Sequence, residues 1–280
     1  LGFYVMDECD VETHGVRRKN VPGDNPLWTA AVVDRAERMI LRDRSHACIC
    51  FWSLGNESGV GVNFDATYSA TKALDSRPVH YEGYSNVNSA KNTDMDSKMY
   101  PNLAYTRNHC NNSIGGEPFF LCEYAHAMGN AVGNLQDYWD IIEGSNYGIG
   151  GCIWDWVDQS IYDPQAIKNG VLEKNGFPHY TTGYDYPGPH QGNFCSNGVV
   201  RPERGYSAKL AEVMGAYQYV KLNYDKTTGY FSLKNGYNFI TLDGMVLQLQ
   251  WLKNGKVKKQ KKVALSGIEP GGQYMLPLSN

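Results

Sequence analysis

The chain has 280 residues, enough for one large domain or two smaller ones. Its 42% hydrophobic and 20% charged residues are those of a globular chain and exclude the disordered, collagen-like and coiled-coil classes. The net charge of −3 leaves no electrostatic footprint for nucleic acid, and no apolar run approaches the roughly 20 residues of a membrane-spanning helix.

In chain order, Gly2–Met6 reads as a buried strand. Pro26–Leu41 reads as a helix, with Val32, Val33, Ala36, Met39 and Ile40 at helical spacing. Further strands are expected at Cys48–Leu54, Pro78–Glu82, Ser97–Tyr100, Phe119–Glu123 and Cys152–Trp156, with helices at Asn63–Leu74 and Asn134–Ile142. This alternation predicts βα units around a parallel sheet. Pro164 to Pro202 reads as irregular, and Gly205–Val220 as a last helix. The texture then changes to short alternating strands at Tyr219–Leu222, Tyr230–Leu233, Phe239–Leu242, Val246–Trp251 and Lys256–Val263, separated by turn signals such as Asn254-Gly255. An all-β sandwich segment over 218–280 is expected, after an α/β domain over 1–217. The lysines between Lys256 and Lys262 read as a charge-protected edge strand rather than a nucleic-acid surface.

Nearly every strand candidate of the α/β part ends in a polar cluster: Asp7-Glu8, Asn56-Glu57, Glu82, Tyr100, Glu123 and Asp155. A βα barrel assembles its active site at the C-terminal ends of its strands, although loop starts and helix caps are polar too. Glu57 leaves a strand beside Gly55 and Asn56, and Glu123 follows the apolar Phe119–Cys122. Two carboxylates facing one cavity are what glycoside hydrolysis requires, one as proton donor and one as nucleophile or base. A lone Glu at a strand end is as readily a cap or salt-bridge partner. Glu12 and His14 form an E-x-H pair that alone reads as well as a salt bridge as a metal site. The seven cysteines are odd in number and include no CxxC pair, so buried free thiols are expected, with a reducing compartment favoured. No signal peptide is visible, and the opening Leu1-Gly2-Phe3 suggests that the natural N-terminus lies upstream. A cytoplasmic location is therefore favoured and a periplasmic one stays open.

Leu54-Gly55-Asn56-Glu57-Ser58 closely resembles the acid/base signature of glycoside hydrolase family 2. Leu121-Cys122-Glu123-Tyr124-Ala125-His126-Ala127-Met128-Gly129-Asn130 resembles the nucleophile signature of its β-galactosidase branch. Glu12-Thr13-His14-Gly15, Arg77–Gly83, Met99-Tyr100, Trp154–Gln159 and Phe194–Gly198 match in the same order. The resemblance implies a TIM (β/α)8 barrel with its strands 3 to 8 present and the first two missing, hence a fragment of a larger enzyme. It implies a retaining β-galactosidase in which Glu57 is the acid/base and Glu123 the nucleophile. Asn56 would hold the sugar 2-hydroxyl, Tyr100 would tune Glu123, His126 would bind hydroxyls, and Trp154 would be the sugar platform. Glu12, His14 and Glu57 match the family's Mg2+ ligands. Phe194, through its carbonyl, and Asn197 match a Na+ site that holds the 6-hydroxyl. The whole enzyme is expected to be a homo-oligomer. Other readings are a β-glucuronidase or β-mannosidase of the same family, disfavoured by Ala125–Asn130, and a carbohydrate-binding remnant without turnover.

Overall fold

The computed structural model describes residues 2–15, 21–84, 92–112 and 115–277. The chain divides into two compact units, Leu1–Val213 and Met214–Asn280.

Six parallel strands organise the first unit: β1 (Val5–Glu8), β2 (Ile49–Ser53), β3 (Val79–His80), β4 (Asp96–Met99), β5 (Phe119–Tyr124) and β6 (Gly148–Ile153). They form two three-stranded ladders, β1-β2-β3 and β4-β5-β6. The ladders meet at a polar seam. Asp94 N–H donates to the Val79 carbonyl at 2.7 Å, and the Asp94 carboxylate accepts from Val79 N–H at 2.8 Å. Deeper in, His80 Nε2 lies 2.9 Å from Ser97 Oγ. Its Nδ1 is 3.0 Å from Ser53 Oγ, which donates to Glu8 at 2.8 Å. Complete burial pushes the His80 imidazole down to about 3, so it sits in this chain as a neutral ring.

Four helices follow strands of these two ladders: α1 (Thr29–Asp43) after β1, α2 (Val62–Leu74) after β2, α3 (Leu103–Asn111) after β4 and α4 (Leu135–Glu143) after β5. Asn25 caps the turn ahead of α1 by accepting from Leu27 N–H, with Pro26 just inside. Helix α1 then buries Val32, Ala36, Met39 and Ile40 on one face. They pack with Trp52, Leu54, Phe64, Val79 and Tyr81 in one core. Trp52 is fully buried, its indole N–H donates to Asp75 at 3.1 Å, and the Arg77 guanidinium lies 5.3 Å from the ring. Trp52→Ala is expected to cost about 3–5 kcal/mol, read as a shift in a denaturant midpoint. A loss under about 1 kcal/mol would contradict this packing.

Several expected boundaries shift. The first strand is Val5–Glu8 rather than Gly2–Met6, with Val5 N–H bonded to the Cys48 carbonyl. The last strand of the unit is Gly148–Ile153 and ends before Trp154, not Cys152–Trp156. Its glycines lie outside the strand expected from the sequence. A Cβ on Gly151 would lie 2.8 Å from the Leu121 Cβ, so the bare backbone lets β6 press against β5. Trp156 is 58% exposed and takes no part in a core. All seven cysteines are free, but Cys48 and Cys152 are exposed rather than buried. The stretch expected to be irregular holds a short antiparallel pair, β7 (Ile161–Tyr162) with β8 (Tyr180–Thr181). It also holds α5 (Pro164–Lys168), capped by Asp163 accepting from Gln165 N–H. Helix α6 is Ala208–Ala216.

The second unit contains β9 (Val220–Asp225), β10 (Tyr230–Asn235), β11 (Val246–Lys253), β12 (Lys256–Ala264) and β13 (Gln273–Pro277). Strand β10 pairs antiparallel with β9 and β13, and β11 with β12. Leu233, Leu242, Leu265 and Ile268 form the buried core. The expected strand at Phe239–Leu242 is absent. Asn235 Nδ2 donates to the Ile240 carbonyl at 3.0 Å and Leu242 N–H to Ile268 at 3.1 Å, so side-chain and loop bonds hold this segment. The five lysines of β12 are all exposed, and among the described strands β12 pairs with β11 alone.

Candidate active site

The ends of β2, β4, β5 and β6 meet at a cleft of about 450 Å³, within the range of small-molecule sites. Its lining is Glu12, His14, Asn56, Glu57, Tyr100, Glu123, His126, Trp154, Gln191 and Phe194. Nine of these ten were singled out in the sequence. The tenth, Gln191, lies in the stretch read as irregular and carried no signal. Asn197, also singled out, is fully buried and does not line the cleft.

Backbone pairing brings the first group together. Asn56 N–H donates to the Val11 carbonyl at 2.8 Å, and residues 12 and 56 form a parallel bridge. The Asn56 amide then donates to Glu12 Oε2 at 2.6 Å. Glu57 follows in the left-handed region, with φ of 43°. Its N–H donates to Glu82 Oε1 at 2.7 Å, and its carbonyl accepts from Thr13 Oγ1 at 3.0 Å. Glu82 was read only as a strand-end acid; its work is to hold this turn. Glu57 is buried and its Oε2 lies 2.6 Å from His14 Nδ1.

The second group belongs to the other ladder. The Tyr100 hydroxyl donates to Glu123 Oε1, and Tyr100 N–H donates to the Glu123 carbonyl at 2.7 Å. Tyr100 has φ of 45° and Ala125 of 48°. Such left-handed non-glycine residues cost about 1–3 kcal/mol each and gather where geometry serves chemistry. Burial foremost raises the Glu123 carboxyl above its usual range; the Tyr100 hydroxyl pulls it back, and the charges of Glu57, Glu12 and Glu82 push it up. Burial and the hydrogen bond to Glu123 hold the Tyr100 phenol protonated, far above its ordinary range. Tyr100 is 44% exposed, so it is no core tyrosine.

His126 Nδ1 accepts from Met128 N–H at 3.3 Å, which places the proton of the neutral ring on Nε2. Burial lowers the His126 imidazole and keeps it neutral. Its Nε2 is buried with no hydrogen-bond partner among the described residues, a donor suited to a ligand hydroxyl. The ring stands edge-on to Phe194, with centroids 5.4 Å apart. Trp154 is fixed by its backbone, donating to Tyr124 at 3.2 Å and accepting from Ala127 at 2.6 Å. Asp158 accepts from Ser160 and takes no part in the cleft.

Glu12, His14 and Glu57 place one ligand atom each within 4.8 Å of one another. Two carboxylates and an imidazole form a donor set that fits a divalent cation, with room left for water ligands. Asn197 Oδ1 is a buried acceptor with no hydrogen-bond partner among the described residues, which fits a cation or a hydroxyl.

Residues 1–222 match the family model described as glycosyl hydrolases family 2, TIM barrel domain. The chain belongs to glycoside hydrolase family 2. It is 38% identical to a β-galactosidase of Priestia megaterium over 99% of this chain and 27% of that protein. It is 40% identical to a β-galactosidase of Pectobacterium atrosepticum over 79% of this chain and 21% of that protein. The chain thus spans about a quarter of the length of the curated relatives it matches. A likeness in shape to a Bacteroides Uniformis β-glucuronidase has a TM-score of 0.48 at 13% identity, over 94% of this chain and 35% of that one. As a family 2 member the chain carries that family's TIM-barrel domain, in a mixed α/β fold.

Proposed function

We propose that this chain carries the catalytic centre of a retaining β-galactosidase. The observation that carries the reading is one cleft holding Glu57 and Glu123 from separate strand ends, with the Tyr100 hydroxyl on Glu123. The name shared by the relatives supports galactoside as substrate. So does the lining, which contains three glutamates and, among the described residues, no lysine or arginine. A glucuronidase needs a basic side chain for the substrate carboxylate, and the glutamates of this cleft would repel that carboxylate. We also infer that β1 to β6 are the third to eighth strands of the barrel, that the unit Met214–Asn280 opens a β-sandwich, and that the whole enzyme is a cytoplasmic homo-oligomer.

In the first step a Glu123 oxygen attacks the anomeric carbon. The glycosidic C–O bond breaks, and the leaving oxygen keeps the electron pair and takes the Glu57 proton. In the second step water attacks the same carbon, Glu57 accepts the water proton, and Glu123 departs as carboxylate. Two inversions retain the configuration. Asn56, held on Glu12, would present its amide to the 2-hydroxyl, and His126 Nε2–H would donate to another hydroxyl. The Trp154 indole would carry the apolar face of the ring. Glu12, His14 and Glu57 would hold Mg2+, and the Phe194 carbonyl with Asn197 Oδ1 would hold Na+. The bound Mg2+ would supply positive charge beside the acid.

The test compares nitrophenyl β-D-galactoside, β-D-glucuronide and β-D-mannoside with the full chain. Hydrolysis of the galactoside alone is expected; preference for either other sugar would sink the galactosidase reading. Tyr100→Phe tests the tuning role. Losing the hydroxyl removes the contact that lowers the Glu123 carboxyl. Glu123 works ionised, so the acid limb of kcat/KM against pH should move to higher pH. An unmoved or downward-shifted limb would contradict it.

A further inference from the structure

The segment that delivers His126 to the cleft is held by a lysine that the proposed chemistry does not use. Lys209 lies in the first turn of α6, 82 residues beyond Ala127, and does not line the cleft. Its Nζ donates to the Ala127 carbonyl at 2.6 Å. Ala127 is fully buried, and its own N–H donates to the Trp154 carbonyl at 2.6 Å. Both polar groups of this residue are thus taken, one by Lys209 and one by the backbone of a cleft residue. The Ala127 carbonyl shares a peptide plane with Met128 N–H. That peptide is trans, so its two polar ends point in opposite directions. Lys209 holds the carbonyl end, and the N–H end meets His126 Nδ1 at 3.3 Å. A cation on the carbonyl polarises the peptide and makes its N–H a better donor. Burial lowers the Lys209 ammonium below its usual range, and the carboxylates of Asp158 and Asp155 push it back up, favouring the charged form.

We propose that Lys209 is a positioning residue that sets the tautomer of His126, and with it the Nε2–H donor offered to a galactose hydroxyl. The hydroxyl rests on the galactosidase reading above; the tautomer does not. The bond that Nδ1 accepts decides which ring nitrogen carries the proton. Without Lys209 the peptide is free to turn its N–H away from Nδ1, and the ring proton can settle there instead. Nε2 is then an acceptor only. His126 would keep its place beside Phe194 and lose the donor. The lysine acts through one peptide plane, and never touches the sugar.

The experiment has two readouts on the full chain and its Lys209→Met and Lys209→Arg variants. Nitrogen NMR of labelled histidine rings tells a bare ring nitrogen from a protonated one, and a His126→Phe chain assigns the His126 signals. A bare Nδ1 and protonated Nε2 are expected in the unsubstituted chain and in Lys209→Arg, which keeps a charged donor. Lys209→Met should move the ring toward the other tautomer. Calorimetric titration with galactose should show a loss of about fivefold to tenfold in Lys209→Met and recovery in Lys209→Arg. Added to His126→Phe, Lys209→Met should bring no further loss. An unmoved His126 tautomer in Lys209→Met overturns the proposal. So does an equal loss of affinity with and without His126, which a merely structural lysine would give. If Lys209→Met does not fold, Lys209→Gln, neutral and shorter, is judged by the same readouts. Failure of the unsubstituted chain to bind galactose overturns the galactosidase reading, and the ring spectrum then still decides the role of Lys209.

Discussion

Glu123→Gln is expected to lower turnover of a β-galactoside by about 10⁴-fold or more while leaving galactose binding largely in place. The amide keeps the shape of the side chain and can still meet the Tyr100 hydroxyl, but it has no anionic oxygen for the anomeric carbon. Glu57 is held at the opposite ladder against His14, so it does not take over the role. Product analysis sharpens the test. Azide added to a Glu123→Ala variant, in which the side chain is removed, should occupy the vacated position and attack directly, giving α-galactosyl azide by a single inversion. Proton NMR of the product reads the configuration. Residual activity within tenfold of the unsubstituted chain would remove Glu123 from the nucleophile role.

The second large effect depends on the leaving group. Glu57→Gln should cut hydrolysis of a disaccharide by about 10²–10⁴-fold, since a sugar alkoxide departs only with a proton. Dinitrophenolate departs without one, so with that leaving group the first step should be nearly spared. The second step also needs Glu57, as base, so an initial burst of dinitrophenolate followed by slow turnover is expected. Stopped-flow absorbance reads both phases. Equal losses on the two substrates, with no burst, would mean that Glu57 is structural. The burial of Glu57 and its contact with His14 make that alternative concrete, and the leaving-group comparison separates the two.

Much of this was legible in the chain because strand ends are read easily when an apolar run stops at an acid. Phe119–Cys122 followed by Glu123, and Cys48–Leu54 followed by Asn56-Glu57, announce both the strand and the residue it delivers. Burial of Val32, Ala36, Met39 and Ile40 follows from their helical spacing. What the chain concealed has physical causes. Strand β6 begins in glycines, whose value lies in the absence of a side chain against Leu121. Glu82 acts through an acceptor bond to a backbone N–H 25 residues away, which no local pattern records. Gln191 enters the cleft from a stretch without periodicity, and Asn197 faces inward beside it. The loop at Phe239–Leu242 has strand-like composition, yet Asn235 and Ile268 take the bonds a partner strand would need.

The two carboxylates stand on different ladders, Glu57 after β2 and Glu123 on β5. Among the described residues, no continuous run of sheet hydrogen bonds fixes the gap between them. That gap is set across the β3–β4 seam, by Asp94 against Val79 and by the uncharged His80 between Ser53 and Ser97. The seam acts as a gauge block whose thickness is the width of one imidazole and two hydroxyls. A retaining enzyme tolerates little error in that width, since a wider gap would admit water between acid and nucleophile and change the stereochemical course. On the reading proposed above, a histidine outside the cleft lining would thereby set the spacing of the two carboxylates.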